Sequence, residues 1–264
     1  MFLPLAQEVF FFGKKLNFLL IYFCPYPPTR TIGIGSLYFG KMEALFKKFD
    51  IPYHAITGLL QIFDGCIAGS SVLHSYLSQT EELSWEPNDI DIWIPIPSLT
   101  KSKVRNGLDS KAYGVDYTLV NYDIKSMKHV IDNLFERYNF ILSELNGRNN
   151  YMDYKACSKG IIYSISYYEK NGKMIQVIYT SDIPRKELLE NFDMTICRIS
   201  WDPQTQFTTP SPTVFEDIKN KRAVFAEKLV KLRSGKMEGF SEKQMKRINK
   251  YLDRGFQICL PVDK

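Results

Sequence analysis

Cysteine and histidine are scarce in this 264-residue sequence, and their scarcity removes whole classes of chemistry. The five cysteines, Cys24, Cys66, Cys157, Cys197 and Cys259, are odd in number and scattered. They form neither a disulfide framework nor paired metal-ligand spacing, so a reducing, intracellular compartment is expected. The three histidines, His54, His74 and His129, match no zinc spacing. Long apolar runs are missing as well. The longest, Leu16 to Tyr26, is about half of the roughly 20 residues that cross a bilayer. A membrane span is therefore not expected, and because no small-residue cleavage site follows a basic leader, neither is a signal peptide. Thr31-Ile32-Gly33-Ile34-Gly35-Ser36 lacks the third glycine of a dinucleotide fingerprint and reads as a loop. There are no repeats and no low-complexity tract.

What is present describes a folded protein. Hydrophobic residues make up 45% and aromatic residues 14%, with 24% charged, which excludes a disordered, collagen-like or coiled-coil chain. The net charge of +5 is uneven. Residues 215–264 hold 13 Lys and Arg against 7 Asp and Glu, a balance of +6 that leaves the remainder at −1. A basic tail on a near-neutral body suits a polyanionic partner, and a solvated helix face gives the same count.

Three segments follow from the patterning. Residues 1–41 are aromatic-rich, broken by Pro25, Pro27 and Pro28, and read as an extension, either packed on the domain or lying upstream of a working start at Met42. Residues 42–202 carry the regular pattern. Leu45, Phe46 and Phe49, then Leu59, Leu60 and Phe63, recur at helical spacing. Cys66-Ile67-Ala68 reads as a strand running through Gly69-Ser70-Ser71 into a helix with Val72, Leu73, Tyr76 and Leu77. After a polar loop, Asp89 to Ile94 is β-rich. A helix is expected around Ile124 to Tyr138. Asn171-Gly172 predicts a hairpin joining Ile161–Tyr168 to Lys173–Tyr179. A short helix after Pro184 and a strand over Phe192–Trp201 complete this segment. Cys66 and Cys197, on apolar strands, read as core residues. Residues 213–264 predict two helices opened by capping boxes, Thr213 with Glu216 and Ser241 with Gln244, and ended near Gly235 and Gly255.

The chemistry gathers at two motifs. Asp89 and Asp91 are two apart on a strand, so both carboxylates project from one face. Two carboxylates converging there call for a cation, and hard oxygen ligands suit Mg²⁺ or Mn²⁺. Alone, an Asp-x-Asp also fits the solvent side of an ordinary strand. Gly69 at a strand-to-helix turn lets the backbone approach a ligand and leaves helix-starting N–H groups free for phosphate. Alone, Ser70 also fits a plain helix cap.

Together, Ala68-Gly69-Ser70, a helix, a polar loop and Asp89-Ile90-Asp91-Ile92 resemble the nucleotidyltransferase superfamily typified by DNA polymerase beta. Asn88 before the acids and the later Phe192-Asp193-Met194-Thr195-Ile196-Cys197 are similar to divergent members found in large DNA viruses, which would place the protein in a host cytoplasm. The resemblance covers roughly residues 67–200. It implies an α/β (α+β) fold, a mixed sheet flanked by helices, here followed by a C-terminal helical extension. It further implies Gly69, Ser70 and Ser71 at the phosphates of an NTP, and Asp89 and Asp91 on metal. A third carboxylate is expected on a neighbouring strand. Asp193 can supply it, whereas the alternative strand Met174–Ile178 carries Gln176 in place of an acid.

The leading expectation is therefore a metal-dependent enzyme that moves a nucleotidyl group from an NTP to a hydroxyl acceptor, with Asp89, Asp91 and Asp193 as catalytic and metal-binding residues. The alternative is an inactive module of the same fold that binds nucleic acid or a protein. In the last helix, Lys243, Arg247, Lys250 and Arg254 share a face apart from Met245, Ile248 and Leu252. That face suits either a phosphate-backbone contact strip or an amphipathic helix docked on the body.

Overall fold

The computed structural model describes residues 9–10, 19–20, 36–96, 117–143, 161–225, 232–233, 236–237 and 242–259. Two compact units are distinguished, Met1–Ser36 and Leu37–Lys264. Of the first, strands β1 (Val9–Phe10) and β2 (Leu19–Leu20) are described, paired antiparallel. The Thr31–Gly35 loop reading, Gly235 and Ser241 lie outside the described residues.

Helix α1 (Ser36–Lys48) contains Met42, which is fully buried, as are Leu45, Phe46 and the following Phe49. Helix α2 (Tyr53–Ile62) buries Ala55, Ile56, Leu59 and Leu60, the i, i+1, i+4, i+5 set of one helix face. Strand β3 (Cys66–Ala68) leads into α3 (Ser70–Leu77), and β4 (Asp89–Pro95) follows a loop. Helix α4 (Tyr117–Arg137) presents Met127, Ile131 and Phe135 to the core. Then come β5 (Ile141–Leu142) and the hairpin β6 (Ile162–Lys170) and β7 (Lys173–Thr180), turned by Asn171 and Gly172 at φ 52° and 72° as their sequence requires. Helix α5 (Arg185–Glu190), a 3-10 turn (Thr195–Cys197), β8 (Ser200–Asp202) and β9 (Gln206–Thr208) follow. Next are α6 (Pro212–Lys219), β10 (Arg222–Val224), the short pair β11 (Leu232–Arg233) and β12 (Lys236–Met237), α7 (Glu242–Asp253) and β13 (Gln257–Cys259).

Seven strands form one mixed sheet in the order β5-β6-β7-β4-β3-β8-β9, in which β4 and β7 run parallel and every other neighbouring pair is antiparallel. The period-2 alternation of β4 divides its faces. Ile90, Ile92 and Ile94 are fully buried in the main core with Phe46, Phe135 and Trp201. Each such side chain contributes about 1.5–3 kcal/mol of burial. On the other face Asp89 and Asp91 precede Trp93, which joins a smaller cluster with Ala68, Ile178, Leu188 and Leu189. No helix among the described residues is long and apolar enough to cross a membrane.

Two expected elements take other forms. The strand over Phe192–Trp201 is confined to β8; upstream, the chain turns through the 3-10 segment, closed by the Arg198 guanidinium donating to the Phe192 carbonyl at 3.0 and 3.2 Å. Alternating apolar residues are buried here by a turn as completely as a strand would bury them, for Met194, Ile196 and Cys197 are all 0% exposed. The helix expected from Thr213 toward Gly235 stops at Lys219, because Lys221 takes φ 52° and β10 pairs in parallel with β13. Its first turn begins at Pro212 after Ser211, so Thr213 is inside the helix. Gly255, at φ 80°, ends α7 as its sequence predicts, with its N–H donating to the Leu252 carbonyl and that of Phe256 to Tyr251. Ile248, Tyr251 and Phe256 are buried in the main core, so the basic tail is docked on the body.

Candidate metal and nucleotide site

Strand β4 lies between β3 and β7, which places Asp91 opposite Ala68 on one side and Gln176 on the other, with Asp89 opposite Met174. Both carboxylates are half-buried on the same face. Burial first, and the Asp89 charge second, push the Asp91 carboxyl up to about 8, while the Arg247 and Lys250 charges pull it down. At neutral pH and without a cation Asp91 therefore keeps its proton, because burial and the Asp89 charge both disfavour a second ionised carboxylate.

The Gly69 turn abuts this pair. Gly69 adopts φ 94° and ψ −149°, a conformation essentially restricted to glycine, and a Cβ there would lie 3.2 Å from Asp91 Oδ2. The chain thus brings the start of α3 against the acids, and the N–H groups of Ser70, Ser71 and Val72 open the helix without a side-chain cap. Ser71 is 1% exposed, and its hydroxyl has no hydrogen-bond partner among the described residues. Gly69→Ala is expected to cost about 1–3 kcal/mol through backbone strain alone, measured by urea unfolding. An unchanged midpoint would mean that the turn relaxes freely.

The third carboxylate is where sequence and structure part. By register the neighbour of Asp91 is Gln176, whose Nε2 donates to Asp89 Oδ2 at 3.3 Å. Asp193 sits just before the 3-10 turn, following Phe192, whose ring lies 5.0 Å from Trp93 on the acid-bearing face. Its Oδ1 is 3.3 Å from Arg247 Nη2. Among the described residues no three acidic, histidine or cysteine side chains form a group able to hold a metal. Two half-buried carboxylates on one strand face are nonetheless a donor set of the kind a hard divalent cation uses, since such an ion binds through one or two carboxylates and keeps water or phosphate at its other positions.

On helix α7, Arg247 Nη2 contacts Cys197 Sγ at 3.4 Å as well as Asp193, and the charges of Arg247 and Lys250 oppose the upward push of burial on the Asp91 carboxyl. The spacing of these residues revealed a single basic face but not its neighbour. Arg254 stacks on Trp85, with Cζ 3.8 Å from the ring centroid, and Trp85 meets His74 edge-on at 4.8 Å. A cleft lined by Ser84, Trp85, Asn249, Lys250, Asp253 and Arg254 opens beside this stack. Lys243 lies on α7, but its side chain is outside the described set.

Comparison with known proteins adds a family. The profile of the Gabija anti-defense 2 (Gad2) family matches residues 51–221, the segment that holds the sheet, the glycine turn and the acid pair. The chain belongs to the Gad2 family. No curated protein matches this Gad2-family chain. Among solved structures it is similar to a chain of "tRNA-processing enzyme complex 3", with 11% identity and a TM-score of 0.34 over 64% of this chain. The match spans 35% of that chain, about a third of its length, and at that level says nothing of function.

Proposed function

We propose that this Gad2-family chain is a nucleotidyltransferase, moving a nucleotidyl group from an NTP to a hydroxyl acceptor, and that this transfer serves the anti-defense role in the family's name. The observation that carries the reading is the contact of the Gly69 turn with Asp91, which sets two strand-borne carboxylates against the open end of α3. The N–H groups of Ser70 and Ser71 would bind the NTP phosphates, aided by the helix dipole. Asp89 and Asp91 would hold Mg²⁺ or Mn²⁺, with the Gln176 amide orienting Asp89. When bound, the ion supplies a Lewis acid that lowers the pKa of the acceptor hydroxyl and offsets charge on the leaving pyrophosphate. The positive groups of α7 add to that charge compensation.

The test is incorporation of α-labelled NTP in the presence of Mn²⁺ or Mg²⁺, with cell extract as the source of acceptors. Wild type should transfer label, and the double variant Asp89→Ala/Asp91→Ala, folded by circular dichroism, should transfer at least about 10³-fold less. Equal transfer by both, or none by wild type with any NTP, would overturn the reading.

One observation favours the alternative of a non-catalytic module: an amide stands beside Asp91 where an acid is expected. In that case the basic face of α7 serves phosphate-backbone contact, and nucleic-acid binding should fall steeply with salt. Changing Lys243, Arg247, Lys250 and Arg254 to Gln should reduce the salt slope by about 0.7–0.9 for each phosphate contact removed. An unchanged slope in the folded variant would mean that the face does not bind nucleic acid.

A further inference from the structure

A second place in the molecule holds like charges together, and there the sign is positive. Lys250 and Arg254 are i, i+4 neighbours on α7, a spacing at which like charges repel. Neither makes an ion pair among the described residues. Burial lowers both side chains from their ordinary range, Lys250 further through the Arg254 charge, and the attraction of Asp89 does not offset it. One turn earlier Lys246 is paired with Glu242 at 2.7 Å, so the unbalanced charge is a patch of two cations and not a strip. Arg254 is held in place by rings. Its Cζ lies 3.8 Å from the centroid of Trp85 and 5.3 Å from that of Tyr251, which is 1% exposed. Trp85 in turn rests on the buried His74, whose neighbour Glu86 is engaged by Lys48 at 2.6 Å. This platform carries two N–H groups with nothing to bind, since Trp85 Nε1 and Arg254 Nη1 are buried without a hydrogen-bond partner. Such orphaned donors are rare and cost free energy. Trp85, Lys250 and Arg254 all line the cleft described above, which encloses about 560 Å³, within the span of small-molecule sites. Of the lining residues Asp253 alone is acidic, and it is exposed. None of Gly69, Ser70, Ser71, Asp89 and Asp91 lines it.

We infer that this cleft binds a terminal phosphate group, with Arg254 stacked on Trp85 as its fixed base and Lys250 as its second cation. The inference goes beyond nucleotidyl transfer and requires neither a metal nor the acid pair. A terminal phosphate carries close to two negative charges at neutral pH and several strong acceptor oxygens, the complement of two cations and two unpaired N–H groups. The arginine supplies a planar fork that matches phosphate, and its stack on Trp85 holds the fork ready before the ligand arrives. Because Lys246 is already paired, the patch suits one phosphate group better than the successive phosphates of a strand.

The test follows the indole N–H signals of Trp85, Trp93 and Trp201 by NMR in the full-length protein, in chelator and at fixed ionic strength, with the Trp85 signal assigned by its loss in Trp85→Phe. Inorganic phosphate or ribose 5-phosphate, replacing chloride, should move the Trp85 signal saturably and leave the other two in place. Arg254→Gln and Lys250→Gln should each weaken binding by about 10-fold or more, with urea midpoints confirming that both are folded. Lys250→Gln keeps the stack of Arg254 on Trp85, so its loss reads contact with the ligand and not a structural role. Asp89→Ala/Asp91→Ala should bind phosphate no more weakly than wild type. Loss of binding in that variant would put the phosphate at the acid pair and overturn the inference. So would the absence of a saturable shift at Trp85, or unchanged affinity in Lys250→Gln. An unphosphorylated oligothymidylate that moves the signal at a lower concentration per phosphate than ribose 5-phosphate would make the cleft a strand-contact surface, and would overturn it too. Absence of nucleotidyl transfer by the wild type would remove the activity proposed above and leave this site standing, so the two failures are distinguishable.

Discussion

Replacing Asp91 with Asn is expected to stabilise the metal-free protein, increasingly so as pH rises. In the folded chain, burial and the Asp89 charge push the Asp91 carboxyl up to about 8, from an ordinary value of 3.8. A raised folded pKa means that the carboxyl favours folding while both states keep the proton. That contribution is lost between about pH 4 and pH 8, as the unfolded chain releases a proton that the folded chain retains. Asn does not titrate, so the stability difference between variant and wild type should widen over this window. Allowing for solvent screening at a half-exposed group, the widening should be about 1–3 kcal/mol between pH 5 and pH 8. Urea unfolding in chelator at the two pH values measures it. Saturating Mn²⁺ should reverse the order, because wild type alone gains from binding. A difference independent of pH would mean that Asp91 is not strained by its neighbours.

Gln176→Asp is expected to have the second large effect, in the opposite sense for stability. The register of β7 against β4 places the new carboxylate directly beside Asp91. It also removes the amide that donates to Asp89. Three acids on adjoining strands repel one another without metal, at a cost of about 1–3 kcal/mol in chelator. With metal, the additional charge should raise Mn²⁺ affinity by about 10-fold or more. Calorimetry reads it. Unaltered affinity would show that position 176 does not face the ion.

The central part of the fold was legible because local patterns decide it. Alternation in Asp89–Pro95 separates carboxylates from isoleucines whatever the neighbouring strands are. Asn171 and Gly172 fix a hairpin whose register, Glu169 with Met174 and Lys170 with Lys173, follows from the two-residue turn. Gly69 announces a backbone conformation that other residues resist. What escaped the sequence depends on contacts distant along the chain. The end of α6 at Lys219 is set by β10 finding β13, which begins 33 residues beyond the end of β10. The apolar alternation of Phe192–Trp201 is satisfied by a buried turn, held by Arg198 and by the bridge of Met194 to Phe225. Likewise, periodicity gathered Arg247, Lys250 and Arg254 on one face of α7 but could not say that Arg247 meets Asp193 or that Arg254 stacks on Trp85. That depends on Ile248 and Tyr251 docking the helix in the main core. The candidate site was thus half legible: that Asp89 and Asp91 share a strand face and that Gly69 turns the chain into α3 followed from sequence, and the contacts of α7 only from the fold.

The most direct measurement of the central claim is anomalous diffraction from crystals grown with Mn²⁺ and a non-hydrolysable NTP. The account predicts a manganese peak between the Asp89 and Asp91 carboxylates, with the triphosphate at the Gly69–Ser71 start of α3. Manganese and nucleotide bound elsewhere, with the acid pair facing only protein and water, would contradict it.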